Sequence, residues 1–418
     1  MDIIDHYSGR VKFLVGINGA GKTHALLESL KLHESEAFLL TEDGMALIPR
    51  DKKRVQINIE EQLYLYQDET SRGKPGRNFD SEKISDNAFN VVTFCQGILE
   101  RLNRFSNKSK GQEKLHNIMS IFLTYNLNNI NILYFDEPEN FLDEAFLKVI
   151  SDFFDLLIDS GYIIRVATHN SRLLNILKIE IDDIILFHDH NTLSISKEEV
   201  SNIFNKTSSA VESIRIAENI QEDASISYKL NLTQFSHAFS NFVDQSLKST
   251  EFYRCLFHKK VIIVEGQSDI VALSFINKDF DSSIEIYNPN GKAFIPFFTM
   301  LFRALNKEVL VIIDNDLPLQ NDLGILRHPV AISYYLNQIE SDSMVKVITH
   351  NPDLEGHYEI DLDSIATDLG MSSSIRKRNK GWHKSMAAYI FFSQEENRLR
   401  LKQHILEDSE DRTMFELE

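Results

Sequence analysis

The sequence predicts an α/β protein with two parallel sheets, each covered by helices. Three observations carry that expectation. Short aliphatic runs alternate with helix-patterned segments from residue 10 to 195, and again from 259 to 400. Strands buried on both faces of a parallel sheet read as such runs. Several runs end on a glycine or an acid, at the carboxyl edge where parallel sheets place their ligands. The stretch between the blocks, 196–258, is helical in pattern and carries no recognisable chemistry. The expected organisation is a first domain over 1–195, a helical connector over 196–258, a second domain over 259–400 and an acidic tail over 401–418.

Taken in order, VKFLVG is a buried strand ending at Gly16, and THALLESLKL after it has helical spacing. Residues 34–88 mix short strand-like runs with a turn-rich surface loop, DETSRGKPGRNFDSEK. Residues 89–130 read as helices, and NILYFDEPEN as a buried strand ending in acids. FLDEAFLKVISDFFDLLIDSG is an amphipathic helix stopped by Gly161, followed by the strands YIIRVATHN and DDIILFHD. After the connector come KVIIVEG, DIVALSFIN, SSIEIYNPNG, FIPFFTMLFRAL and EVLVIIDNDLP, strand and helix in turn. No internal repeat is visible.

The 418 residues exceed one ordinary core. With 43% hydrophobic and 25% charged residues the composition is that of a globular protein. No segment approaches the roughly 18 apolar residues that span a bilayer. MDIIDHYSGRVKF lacks the charged and apolar regions of a secretory signal. Cys95 and Cys255 lie far apart in apolar sequence and read as buried thiols of a reducing compartment, hence a cytoplasmic protein. The net charge of −18 argues against a nucleic-acid binder. Local distribution weighs more than the total, and basic clusters stand at Arg101–Lys114 and Ile375–Lys384.

GINGAGKT, Gly16–Thr23, fits G-x-x-x-x-G-K-S/T between a strand and a helix. Backbone N–H groups around Gly16, Asn18, Gly19 and Gly21 would wrap phosphates, Lys22 would reach the β and γ phosphates, and Thr23 would hold Mg²⁺. ILYFDEPEN then supplies Asp136 for the metal and Glu137 to polarise water. The expected cofactors are ATP and Mg²⁺ or Mn²⁺.

The second constellation lies in VEGQSDIVALSF. Glu265 ends a strand, Gly266 makes the turn and Asp269 falls in the first helical turn. About fifty residues on, Asp314 and Asp316 end another strand. Alone, Asp269 reads as a first-turn acid favoured by the helix dipole. Together, carboxylates meeting at one sheet edge repel unless a divalent cation sits among them, and Mg²⁺ and Mn²⁺ prefer such ligands.

Two resemblances follow from these motifs. KSKGQEKLHNIMSIF, with Ser109 and Gly111, resembles the signature segment of ATP-binding-cassette ATPases, and ATHN resembles their switch histidine, here His169. Asp143 lies in the segment after the acidic strand. The resemblance implies catalytic roles for Glu137 and His169. It also implies a dimer in which Ser109 contacts ATP on the other subunit.

E-G-x-x-D followed by a strand ending D-x-D resembles the Toprim domain. A cassette followed by Toprim is similar to the OLD (overcoming lysogenisation defect) family of ATPase-nucleases, which includes the nuclease subunit of the Gabija anti-phage system. Gly291 and Lys292 resemble its glycine-lysine turn, and Asp353 and Glu355 its late acidic motif. Lys384, or less fittingly Lys380, stands where the family has a lysine near the scissile phosphate. The implied metal ligands are Glu265, Asp269, Asp314, Asp316, Asp353 and Glu355, with Glu265 and Lys384 catalytic.

Two features depart from the pattern. Fifteen residues precede Gly16, too few for the usual opening pair of strands. The span from Lys22 to Ser109 leaves no room for the large dimerisation insert of many members. The expected function is ATP-controlled, metal-dependent cleavage of DNA in anti-phage defence, by a homo-oligomer and with a possible partner defence protein. RNA or tRNA cleavage, or an ATP-driven scaffold with a non-catalytic cleft, stay open. A strand transferase would need a tyrosine nucleophile, and neither Tyr287 nor Tyr358 sits in a supporting context.

Overall fold

A computed structural model describes residues 4, 7–33, 36–47, 86–124, 130–188, 191–280, 283–315, 324–340, 343–372 and 380–407. Asp316, the expected loop at 68–83 and residues 408–418 lie outside these, as does the side chain of Lys380. The chain divides into two compact units, Met1–Ser194 and Ile195–Glu418.

In the first unit the described elements are β1 (Val11–Val15), α1 (Lys22–Leu32), β2 (Ala37–Leu40), β3 (Ala46–Leu47), α2 (Asp86–Leu102), α3 (Lys110–Thr124), β4 (Ile132–Asp136), α4 (Glu144–Asp159), β5 (Ile163–Thr168), α5 (Ser171–Leu177), β6 (Ile184–His188) and β7 (Asn191–Leu193). They form one sheet in the order β3-β2-β4-β5-β1-β6-β7. Its five central strands are parallel, and the short outer strands β3 and β7 pair antiparallel. β4 is buried at every position because helices cover both faces. α4 starts at Asp143, whose side chain accepts from the Phe146 N–H at 2.9 Å. It buries Leu147, Ile150, Phe153, Phe154 and Leu157, one stripe at helical spacing, and Gly161 beyond it takes φ 90°.

The second unit begins with four helices: α6 (Lys197–Ala217), α7 (Ala224–Leu230), α8 (Ser236–Ser246) and α9 (Thr250–Leu256). Then follow β8 (Lys260–Val264), α10 (Gln267–Ser274), β9 (Ile284–Tyr287), α11 (Ile295–Ala304), β10 (Glu308–Asp314), α12 (Pro329–Ile339), β11 (Val345–His350), α13 (Leu354–His357), α14 (Leu362–Asp368), α15 (Lys380–Phe392) and α16 (Glu395–Lys402). The sheet, β11-β10-β8-β9, is entirely parallel. Its chain path reverses at β8, with β9 on one side and β10 on the other. The carboxyl ends of β8 and β10 therefore meet at the position where open parallel sheets bind their ligands.

On one face Ile262, Val264, Leu310 and Ile312 pack with Ala272 and Leu273 of α10 and with Ala387, Ala388 and Phe392 of α15. On the other, α6 and α12 pack on α11. The helices expected as a connector fall in this second unit, for a physical reason. Phe204 of α6 meets Phe297 of α11 with ring centroids 5.3 Å apart. Phe242 stacks on Phe294 at 4.5 Å and Phe252 on Phe302 at 5.7 Å. Such rings need a second layer to exclude water from them. Residues 401–407, expected as the start of a tail, continue as helix and bury Leu401 and Ile405 in the core.

Candidate functional site

The first candidate site forms where β1 turns into α1. Gly16 passes so close to β6 that a Cβ there would lie 2.5 Å from the Phe187 carbonyl oxygen. Gly19 and Gly21 take φ of 82° and 98°, which glycine adopts without strain. Lys22 is buried, and its Nζ donates to the carbonyls of Gly16 at 2.7 Å and Ile17 at 2.9 Å. Burial pushes its pKa down, against the pull of Glu137, Asp136 and Glu139. The loop thus holds an ammonium where a phosphate chain would lie. Thr23 Oγ1 donates to Asp136 Oδ1 at 3.0 Å. Burial raises the Asp136 pKa, opposed by the Thr23 bond and aided by neighbouring Glu137.

Glu137 has φ 47° and lies 2.9 Å from His169 Nδ1 through Oε1. The cleft, about 560 Å³, is lined by Asn18, Gly19, Gly21, Lys22, Thr23, His24, Glu42 and Glu137. Ser109 and Gly111 are not in that lining. Ser109 opens α3 instead: its Oγ accepts from the Gln112 N–H at 3.3 Å, and its own N–H donates to Gln112 Oε1 at 2.9 Å. Gly111 lies against the carbonyl of Phe141, leaving no room for a side chain.

Four residues here were not singled out from the sequence. Asn140 Nδ2 donates to both Glu42 Oε1 and Glu137 Oε2 at 2.7 Å. Glu139 is buried, accepts from Thr168 Oγ1 and has its pKa pushed up to about 7 by burial. Lys114 donates to the Glu137 carbonyl at 2.7 Å, and burial pushes its pKa down to about 8. Glu42 was not visible because it follows a four-residue strand in an unremarkable polar run.

The second candidate site lies at the carboxyl ends of β8 and β10 in the second sheet. Glu265 Oε2 accepts from the Asp314 N–H at 3.2 Å, joining the ends of β8 and β10. Asp269 Oδ2 accepts from the Gly266 N–H at 3.0 Å, so this acid closes its own helix as well as facing the cluster. Asp314 Oδ1 accepts from the Leu354 N–H at 3.1 Å, drawing in the start of α13. Asp353 caps that helix, accepting from the Gly356 N–H at 2.8 Å, and Glu355 follows it. Gly291, at φ 140°, turns the chain so that Lys292 enters the cluster. Lys292 Nζ donates to the Asp314 carbonyl at 2.6 Å and lies 3.4 Å from Glu265 Oε2.

Lys384 of α15 lies 2.5 Å from Glu355 Oε2 and 3.4 Å from Asp353 Oδ2. Burial works against its charge, yet these two carboxylates hold its pKa above the usual value. The positive partners expected to be cations are therefore, in part, two lysines. They do not balance the site: five carboxylates, Glu265, Asp269, Asp314, Asp353 and Glu355, face Lys292 and Lys384. Burial, then Glu265 and Asp269, push the Asp314 pKa up to about 8 in spite of Lys292. Burial pushes Asp269 up to about 7, with Glu265 and Glu355 adding to it. An excess of carboxylate oxygen, with Asp269 and Glu355 buried and the other three partly exposed, suits a hard divalent cation. In the arrangement described, no three carboxylates, histidines or cysteines among the described residues stand ready to ligate one ion.

Residues 256–316 match the family model of the overcoming lysogenization defect protein-like Toprim domain. This segment is similar to the OLD-like Toprim domain. The match runs from the end of α9 through β10 and includes Glu265, Asp269, Lys292 and Asp314. Asp353, Glu355 and Lys384 of the acid cluster lie beyond the matched residues. No curated protein matches the chain.

Similar solved structures include a dimeric ATP-binding cassette in a post-hydrolysis state bound to ADP and Pi, at 17% identity, 45% of this chain, 86% of that one and TM-score 0.26. A putative metal-chelate type ABC transporter in an inward-facing conformation is 16% identical over 46% of this chain and 78% of that one, with TM-score 0.26. A dimeric bacterial ABC transporter cassette is 14% identical over 46% and 88%, with TM-score 0.27. Among the described residues no helix is long and apolar enough to cross a membrane.

Proposed function

We propose that the chain is an ATP-binding, divalent-metal-dependent nuclease that cuts DNA under nucleotide control. The observation that carries this reading is the joining of Glu265 to Asp314 at the sheet's reversal point, inside a cluster whose carboxylates outnumber its lysines. Glu265, Asp269, Asp314, Asp353 and Glu355 would hold Mg²⁺ or Mn²⁺, with Asp316 added from the sequence. Such a cation, when bound, acidifies a coordinated water and stabilises the leaving oxygen. Lys292 braces Glu265 and the β10 end from behind. Lys384 exchanges its two carboxylates for the phosphate, offsetting charge as it develops there.

In the first unit, Gly16, Asn18, Gly19, Gly21 and Lys22 cradle the ATP phosphates, while Thr23 and Asp136 hold the accompanying Mg²⁺. His169 orients Glu137 toward the attacking water. Ser109 and Gly111, absent from the cleft lining, would reach nucleotide on a second copy, which makes the working unit a homodimer or larger. The cytoplasm is its expected place. Anti-phage defence, with or without a partner protein, rests on the family resemblance.

A second reading is a nucleotide-driven assembly whose acid cleft does not cut. The ion pairs of Lys384 with both Asp353 and Glu355 favour it. One assay separates these readings: purified protein with plasmid DNA or tRNA, with Mg²⁺, Mn²⁺ or chelator, with and without ATP. Metal-dependent cutting of plasmid, lost in Glu265→Ala with ATP binding kept, is the expected result. Cutting of tRNA alone would move the substrate to RNA. No cutting of either, with ATP bound, would leave the assembly.

A further inference from the structure

His350 ends β11 directly across from Asp314 in the sheet register and is 1% exposed. Among the described residues, neither of its ring nitrogens has a hydrogen-bond partner. A buried polar group left in that state is costly, so the position calls for a reason. The ring is walled by His357, His404 and Tyr358, with centroids 5.5, 5.6 and 5.8 Å away. Toward the cluster, its Nδ1 faces two carboxylates. Asp269 Oδ1 is 3.6 Å away and Asp314 Oδ1 4.0 Å. Both distances lie beyond a hydrogen bond, by about 0.4 Å for Asp269 and about 0.8 Å for Asp314. The second oxygen of Asp269 is already committed to the Gly266 N–H.

We infer that His350 is a positioning residue of the acid cluster, its Nδ1–H donating to Asp269 Oδ1 when that carboxylate turns to hold a divalent cation. The inference rests on the metal-binding reading above. Carboxylates that ligate metals are themselves held by hydrogen bonds, and losing such a partner lowers metal affinity by about 10–100-fold. Asp269 and Asp314 come from different elements, and one rigid ring at the end of β11 faces both. A histidine that merely fills the core would have no need of a nitrogen aimed at them.

The test is Mn²⁺ binding to the full chain without nucleic acid, read from the electron paramagnetic resonance of free Mn²⁺. Glu265→Ala sets the background from the nucleotide site. ATP binding and thermal unfolding report whether each variant folds. His350→Leu should lose about 10–100-fold in Mn²⁺ affinity. His350→Asn, whose amide stands near the Nδ1 position, should retain most of the affinity. His350→Gln, whose amide reaches toward the Nε2 position, should not. If Leu disrupts folding, the contrast between Asn and Gln still decides. Equal losses in Asn and Gln, or native affinity in Leu, overturn the inference and leave the metal site standing. A native chain that binds no Mn²⁺ above the Glu265→Ala background overturns both.

Discussion

Glu139 shows what a single buried acid does to the first unit. Its pKa is pushed up to about 7 by burial, so the fold disfavours the carboxylate form. A folded value above the unfolded one means the favourable contribution is complete below the ordinary carboxylate range, ~4.3. It fades as pH rises through about 7. Glu139→Gln keeps an acceptor for Thr168 without that charge. Thermal unfolding should show the variant more stable than the native chain at pH 8, by on the order of 1–3 kcal/mol, and level with it at pH 4. A constant difference at both values would mean that ionisation is not the cause. The sequence could not mark Glu139, because its burial comes from Thr168 and the strands around it. Asp269 shows the converse. Its position in the first helical turn was legible, and the structure gives it a capping bond and a place in the cluster together.

The helices over 196–258 show how packing decides what an element is for. Their apolar spacing was plain in the sequence, but the surface they cover was not. Phe204 touches Phe239 and Phe297, with ring centroids 5.4 and 5.3 Å apart, and is 1% exposed. Phe204→Ala should therefore cost the second unit about 3–5 kcal/mol, seen as a lower denaturation midpoint, with ATP binding by the first unit unchanged. A free linker helix would lose almost nothing. β11 is the element the sequence hid best. Val345–His350 mixes three buried with three partly exposed positions at the sheet edge, and Lys346, Thr349 and His350 break the aliphatic run that marked β8 and β10. Its end carries His350, and the acids of α13 follow, so missing the strand hid part of the site.

At the scale of the whole molecule, the two candidate sites sit in two compact units. Lys22→Ala should reduce ATP affinity by more than tenfold, since it removes the ammonium that the phosphate loop holds in place. Mn²⁺ binding at the acid cluster should be unchanged. If nucleotide controls cutting, the variant should cut at one rate with or without ATP, and a rate that still answered to ATP would place the control elsewhere. The sequence by itself determined the α/β class, through its alternation of aliphatic runs and helical segments, and it placed the glycine-rich loop after β1 and the acids Glu265 and Asp314 at strand ends. The loop and the strand ends are short segments whose local pattern fixes backbone geometry, whereas the glycine-lysine turn was legible only through the family resemblance. The tertiary structure decided which acids are joined, that Lys292 and Lys384 share their charge, and that the helices ahead of β8 form one of its layers. It also brought His350 Nδ1 to 3.6 Å from Asp269 and 4.0 Å from Asp314. Those outcomes depend on residues distant in the chain coming within a few ångströms, and no local pattern encodes that distance.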